Sequence, residues 1–106
     1  MYTITFFNNV LTTLLRLRGN AVIVGTVGFP DEETFALASA RGLYIAEHHI
    51  TPLGVNCYAW PKGVPYSYRL NPRVFSEVWG SLAAFQCGRR MLWTVGMRGL
   101  WDEPFW

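Results

Sequence analysis

The chain is short of charge, and the charge it has is dispersed. Nine Lys and Arg against seven Asp and Glu leave a net +2 over 106 residues, with no basic stripe or arm. Nucleic acid and other anionic polymers are therefore not expected as partners. Cysteine is scarce too. Cys57 and Cys87 match no Cys-x-x-Cys spacing, which leaves a disulfide, two buried thiols or neither, with buried thiols the default. Long apolar runs are also missing: the charge-free residues 1–15 are interrupted by Asn8 and Asn9, lack a basic start and fall short of the roughly 18 residues of a membrane span. They are read as soluble structure, with no membrane partner. There is no internal repeat, low-complexity tract or linker. What remains is 51% hydrophobic and 16% aromatic, which argues against disorder and fits one domain over residues 1–106.

Taken in order, residues 1–7 alternate weakly and favour an extended segment, with Tyr2, Ile4 and Phe6 on one side. From Val10 the apolar spacing becomes helical (Val10, Leu11, Leu14, Leu15), with Asn8 or Asn9 as cap and Gly19 as terminator. The run Ala21-Val-Ile-Val is too short for a helix and reads as a strand covered on both faces. A second helix follows, with Pro30 near its first turn, Asp31, Glu32 and Glu33 at the positive end of the dipole, and Arg41 and Gly42 at its close. Its small residues Ala36, Ala38 and Ala40 permit close packing on a sheet. Leu43-Tyr-Ile-Ala is the second strand and ends at Glu47-His48-His49. Residues 50–70 carry Pro, Gly and aromatics, and a loop of that length in a compact domain is usually functional. Asn71-Pro72 reads as cap and first helical position of a third helix, with Val74, Phe75, Val78, Trp79, Leu82 and Phe85 on its apolar face and Gly88 at its end. The third strand is residues 91–95, closed by Gly96.

Alternating strands and helices with near-continuous apolar strands mean an α/β fold of parallel strands joined by right-handed crossovers. Three strands cannot close a barrel, which takes eight strands and about 250 residues, so one sheet face should be left bare. A chain of this kind is expected to be part of a larger domain.

Ligands of parallel sheets gather at the carboxyl ends of the strands. The first end supplies Gly25, Thr26 and Gly28, the second Glu47, His48 and His49, and the third Arg98, Asp102 and Glu103. Adjacent histidines on a strand point to opposite faces, so they would share a metal only where the strand has ended, and no metal is assigned. They can instead sit one in the core and one at the surface, or bind a sugar or carboxylate. Arg98 can pair internally with Asp102. Alternatively its fork of donors holds an anionic substrate while Asp102 transfers a proton or binds hydroxyls. Trp60, Trp101 and Trp106 can stack on sugar rings, although packing is the commoner use of tryptophan.

Several stretches resemble a known family: Leu11-Thr-Thr-Leu-Leu-Arg-Leu-Arg-Gly-Asn-Ala-Val-Ile-Val, Leu37-Ala-Ser-Ala-Arg-Gly-Leu-Tyr-Ile-Ala-Glu-His-His, Pro65-Tyr-Ser-Tyr-Arg, and Leu92-Trp-Thr-Val-Gly-Met-Arg-Gly-Leu-Trp-Asp-Glu-Pro-Phe-Trp. Together they resemble glycoside hydrolase family 115, the xylan α-1,2-glucuronidases, with the fungal branch nearest. The resemblance implies part of a (β/α)8 TIM barrel that removes glucuronic acid or its 4-O-methyl ether from xylan with inversion and without a cofactor. It places His48 and His49 in the uronic-acid pocket, Arg98 on the sugar carboxylate or hydroxyls, and Asp102 as an active-site carboxylate, with Glu47 and Glu103 as less suited second carboxylates. Glucuronoxylan or its oligosaccharides would be the substrate, and the rest of the barrel or a self-associated copy would cover the bare face. The resemblance also suggests secretion, although no signal peptide is evident. Ile50-Thr51-Pro52 stands where many relatives carry an acidic residue, and Cys87-Gly-Arg-Arg replaces a more charged helix end. The alternative from the residues alone is a non-catalytic sugar-binding or self-assembling module.

Overall fold

A computed structural model describes residues 2–24, 32–57 and 60–96. Helix α1 spans Ile4–Arg16, strand β1 Ala21–Ile23, helix α2 Glu33–Ala40, strand β2 Tyr44–Ala46, helix α3 Pro72–Phe85 and strand β3 Met91–Leu92; a 3-10 turn, Pro52–Gly54, lies between β2 and α3. The fold is α/β. The three strands form one parallel sheet in the order β1-β2-β3, with Val22 opposite Ile45 and Ile45 opposite Met91. Among the described residues no helix is long and apolar enough to cross a membrane.

The first helix begins earlier than its sequence suggests. Residues 4–9 are helical, not extended, because Thr3 caps them: its Oγ1 accepts the Phe6 amide at 3.3 Å. Tyr2 and Phe6, which looked like one side of a strand, stack at 4.4 Å between ring centroids. Asn8 is not a cap. It accepts from the Arg41 guanidinium, which also donates to Thr12 Oγ1 at 2.9 Å, one helical turn along. Arg41 at the end of α2 thus ties the two helices together. At the far end of α1 the left-handed residue is Arg18 (φ 64°), and Gly19 serves a different purpose. A Cβ on Gly19 would stand 2.2 Å from Leu14 Cδ1, so only glycine lets the chain turn back so tightly.

Period-two alternation explains the sheet's two faces. Val22, Val24, Leu43, Ile45 and Met91 point the same way and meet Leu11, Phe35 and Ala38 from α1 and α2 in one apolar core. The opposite face exposes Ala21, Ile23, Tyr44 and Leu92. The reading of β1 as covered on both faces is therefore wrong, and the expectation of a bare sheet face is met. Of the alanines on α2 only Ala38 is buried; Ala36 and Ala40 face out. A second apolar cluster joins Val55 and Trp60 to Phe75 of α3, with Tyr66, Val78, Trp79 and Leu82 packed round it. Phe85, assigned above to the apolar face of α3, is exposed instead. Asn71 and Pro72 do open that helix, but the Asn71 side chain donates to Pro65 O at 2.9 Å and not into the helix. Gly88 follows its end in the left-handed region at φ 94°.

Strand β3 is two residues long where five were expected. The Leu53 amide donates to Thr94 O at 3.0 Å, and the Thr94 amide donates to Glu47 Oε2 at 3.2 Å. Loop and side-chain partners have replaced the ladder.

Candidate functional site

The carboxyl end of β2 is where the described polar side chains converge. Strand β2 stops at Ala46, so Glu47, His48 and His49 no longer alternate across a sheet. The His48 carbonyl accepts both the amide and the hydroxyl of Thr51, each at 2.9 Å, which bends the chain sharply after the strand. That bend brings the two imidazoles together at 3.9 Å between centroids, tilted by 39°. The rings pack closely on each other in a tilted pair. Among the described residues no three of His, Cys, Asp and Glu are grouped closely enough to hold a metal. His48 Nδ1 is buried without a hydrogen-bond partner, while His49 is exposed.

Glu47 turns the other way, into the junction of three segments. Its backbone carbonyl accepts Thr94 Oγ1 at 3.1 Å, and its Oε2 accepts the Thr94 amide. Its Oε1 is buried and unpartnered beside Gly54. Gln86, at the end of α3, reaches the same place: Arg89 donates to its Oε1 at 3.1 Å, which turns its unpartnered, buried Nε2 toward Gly54. A Cβ on Gly54 would lie 3.5 Å from each of the two atoms. Burial pushes the Glu47 carboxyl up from 4.5 to about 7, against the opposing pull of the Thr94 and Gly54 amides. The Gly54 amide has its hydrogen bond to Thr51 O and acts on Glu47 only as a nearby dipole. Unsatisfied buried polar atoms are rare in folded proteins, and here His48 Nδ1, Glu47 Oε1 and Gln86 Nε2 come from the strand end and the helix end beside it.

Loop residues 50–57 are buried at every position but Leu53, so this part of the long connection is packed structure and not a mobile surface loop. Leu53 adopts φ 49° and Gly54 φ 81°, the left-handed pair that lets the turn reach Thr94. Trp60 is buried, donating Nε1 to Val64 O at 2.8 Å and packing on Phe75, so it is unavailable for sugar stacking. Cys57 is buried and Cys87 exposed, and both are free thiols, which corrects the expectation that both would be buried. Cys57 Sγ lies 3.2 Å from Tyr66 OH, and burial raises both groups' pKa values.

Arg98, Asp102 and Glu103 lie outside the described residues, as do Gly25, Thr26, Gly28, Pro30, Asp31, Trp101 and Trp106. Among the described residues the structure brings His48 and His49 together and joins Glu47 to Thr94, a residue the sequence reading did not single out. Thr94 sits two residues before Gly96, and only its partners across the sheet mark it as more than a strand position.

Residues 1–106 match the family model for glycosyl hydrolase family 115. The chain belongs to that family. No curated protein and no solved structure matches it. Membership makes the chain a glycosidase-family sequence, and its parallel sheet delivers Glu47, His48 and His49 to the carboxyl end of the central strand, the end at which α/β enzymes bind ligands.

Proposed function

We propose that residues 1–106 are part of the catalytic (β/α)8 barrel of a xylan α-1,2-glucuronidase, of the fungal branch, that removes glucuronic acid or 4-O-methylglucuronic acid from glucuronoxylan with inversion. The observation that carries the reading is the close, tilted His48 and His49 pair at the carboxyl end of β2 in a family 115 chain. Flat imidazole faces and ring N–H donors suit a sugar acid. In this reading Arg98 holds the carboxylate or hydroxyls with its fork of donors, and Asp102 is one of the two carboxyl groups that inversion requires. Glu47 is poorly suited to be the other, since its buried Oε1 and Thr94-bound Oε2 face the fold's interior. The second carboxylate then comes from the rest of the barrel, and the three-stranded sheet alone is inactive.

The test is release of glucuronic acid from glucuronoxylo-oligosaccharides by the barrel completed with its flanking coding sequence, comparing the unmodified protein with Asp102→Asn. A fall of at least about 100-fold in kcat is expected for removal of a catalytic proton carrier. Undiminished turnover in the variant refutes the role of Asp102. Flanks that encode nothing like barrel strands refute the barrel.

A second reading rests on the exposed sheet face at Ile23, Tyr44 and Leu92. A non-catalytic module that self-associates through this face would sediment as a discrete oligomer, and Ile23→Lys would make it a monomer.

A further inference from the structure

We propose that Glu47 is a positioning residue of this site, and that by gripping Thr94 it sets where the chain leaves β3 on its way to Arg98 and Asp102. The inference rests on the glucuronidase reading for its role in the reaction, but its geometry stands apart from that reading.

Three segments meet at Thr94. Its amide goes to the Glu47 carboxylate, its hydroxyl to the Glu47 carbonyl, and its own carbonyl to the Leu53 amide. Every polar group of Thr94 is thereby used, on partners 41 and 47 positions away in sequence. Strand pairing has already ended at Leu92, so these bonds are what direct residues 93–96. Arg98 follows Thr94 by four positions and Asp102 by eight.

The carboxyl group is suited to gripping and not to proton delivery. One oxygen holds the Thr94 amide; the other is sealed between Gly54 and the buried end of Gln86, which is 1% exposed. Gln86 is in turn held by Arg89. The far wall of the carboxyl is thus a buried side chain tied by a hydrogen bond, and Gly54 beside it supplies the left-handed turn at φ 81°. Oε1 is thus closed off, and Oε2 is taken up by the Thr94 amide. The role follows: Glu47 acts through Thr94 and touches no substrate.

Amide hydrogen exchange in the 106-residue protein tests the grip. Glu47→Ala removes the acceptor of the Thr94 amide, and exchange at Thr94 and Leu53 is expected to speed up roughly tenfold, the local loss of about one hydrogen bond. Exchange at the Ile45 amide, which bonds to Arg90 O at 2.8 Å in the middle of the sheet, should stay as it was. Glu47→Gln keeps an acceptor of the same shape and should restore slow exchange at Thr94. Unchanged Thr94 exchange in the alanine variant overturns the proposal. So does an equal acceleration at Ile45, which would make Glu47 a general stability residue. A titration with glucuronic acid in the same samples, read at the His49 and Arg98 amides, separates the two ideas. Shifts at both in the unmodified protein and in Glu47→Gln, with those at Arg98 lost in Glu47→Ala, support positioning of the site. No shifts in the unmodified protein count against the glucuronidase reading alone, while Thr94 exchange still decides whether Glu47 directs the chain. Shifts that survive intact in Glu47→Ala overturn the positioning role.

Discussion

Replacing Glu47 with glutamine removes a proton-binding group while keeping its size and its acceptor for Thr94, so it isolates the electrostatic burden of burying that carboxyl. In the folded protein burial lifts Glu47 from 4.5 to about 7. The sign follows from proton counting. Between those two values the folded state holds a proton that the unfolded chain has released, so stability is full below about pH 4.5, falls as pH rises, and levels off above about pH 7. The whole interval corresponds to about 3 kcal/mol at 1.36 kcal/mol per tenfold change. Glu47 is only partly buried, and screening by the water that reaches it reduces the expected loss to about 1 kcal/mol. Urea unfolding of the two proteins from pH 4.5 to pH 8.5 reads this directly, because other titrating groups cancel in the difference. The curves should coincide at the acid end, and Glu47→Gln should be more stable by about 1 kcal/mol at the alkaline end. Parallel curves over the whole range, or a variant that gains stability only in acid, would refute the argument that burial governs this carboxyl.

Gly19→Ala puts a methyl group into the space of the Leu14 side chain and is expected to lower stability by about 1–3 kcal/mol, seen as a reduced Tm; an unchanged Tm would mean that the turn after α1 relaxes freely. Phe75 is fully buried against Trp60, Tyr66 and Trp79, so Phe75→Ala should cost about 3–5 kcal/mol in chemical denaturation. Native protein should react quickly with an aromatic disulfide reagent at exposed Cys87 only, and with Cys57 after unfolding, since Cys57 is buried and its thiolate is disfavoured. Fast release of two equivalents from the native state would contradict that. Asp102→Asn, described above, tests the catalytic assignment itself.

The sheet, its crossover helices and the end of β2 could be read from the chain because they depend on local periodicity and punctuation. Gly42 and Gly88 close their helices in left-handed geometry, and Asn71-Pro72 opens α3. The register of Val22, Ile45 and Met91 on one face follows from the same alternation that marked the strands. Two of the errors fell where a local pattern was overruled. Residues 2–7 fit a strand and a helix equally by spacing, and the Thr3 cap with the Tyr2–Phe6 stack decided for the helix. At residues 93–95 the strand-forming composition was overruled by Glu47 and Leu53, which take the Thr94 amide and carbonyl out of the ladder.

The α/β class and the polar residues at the end of β2 were legible in residue type and spacing over a few turns of chain, and the family in the resemblance of stretches spread from Leu11 to Trp106. It took the folded chain to show that His48 and His49 pack on each other, that Trp60 belongs to the core, and that Glu47 faces Thr94 and Gly54. Those outcomes depend on contacts between positions up to 47 apart, which no local pattern encodes. The bend after Ala46 sets the directions of Glu47, His48 and His49, because once the strand has ended, successive side chains are no longer bound to opposite faces and follow what the folded chain places beside them.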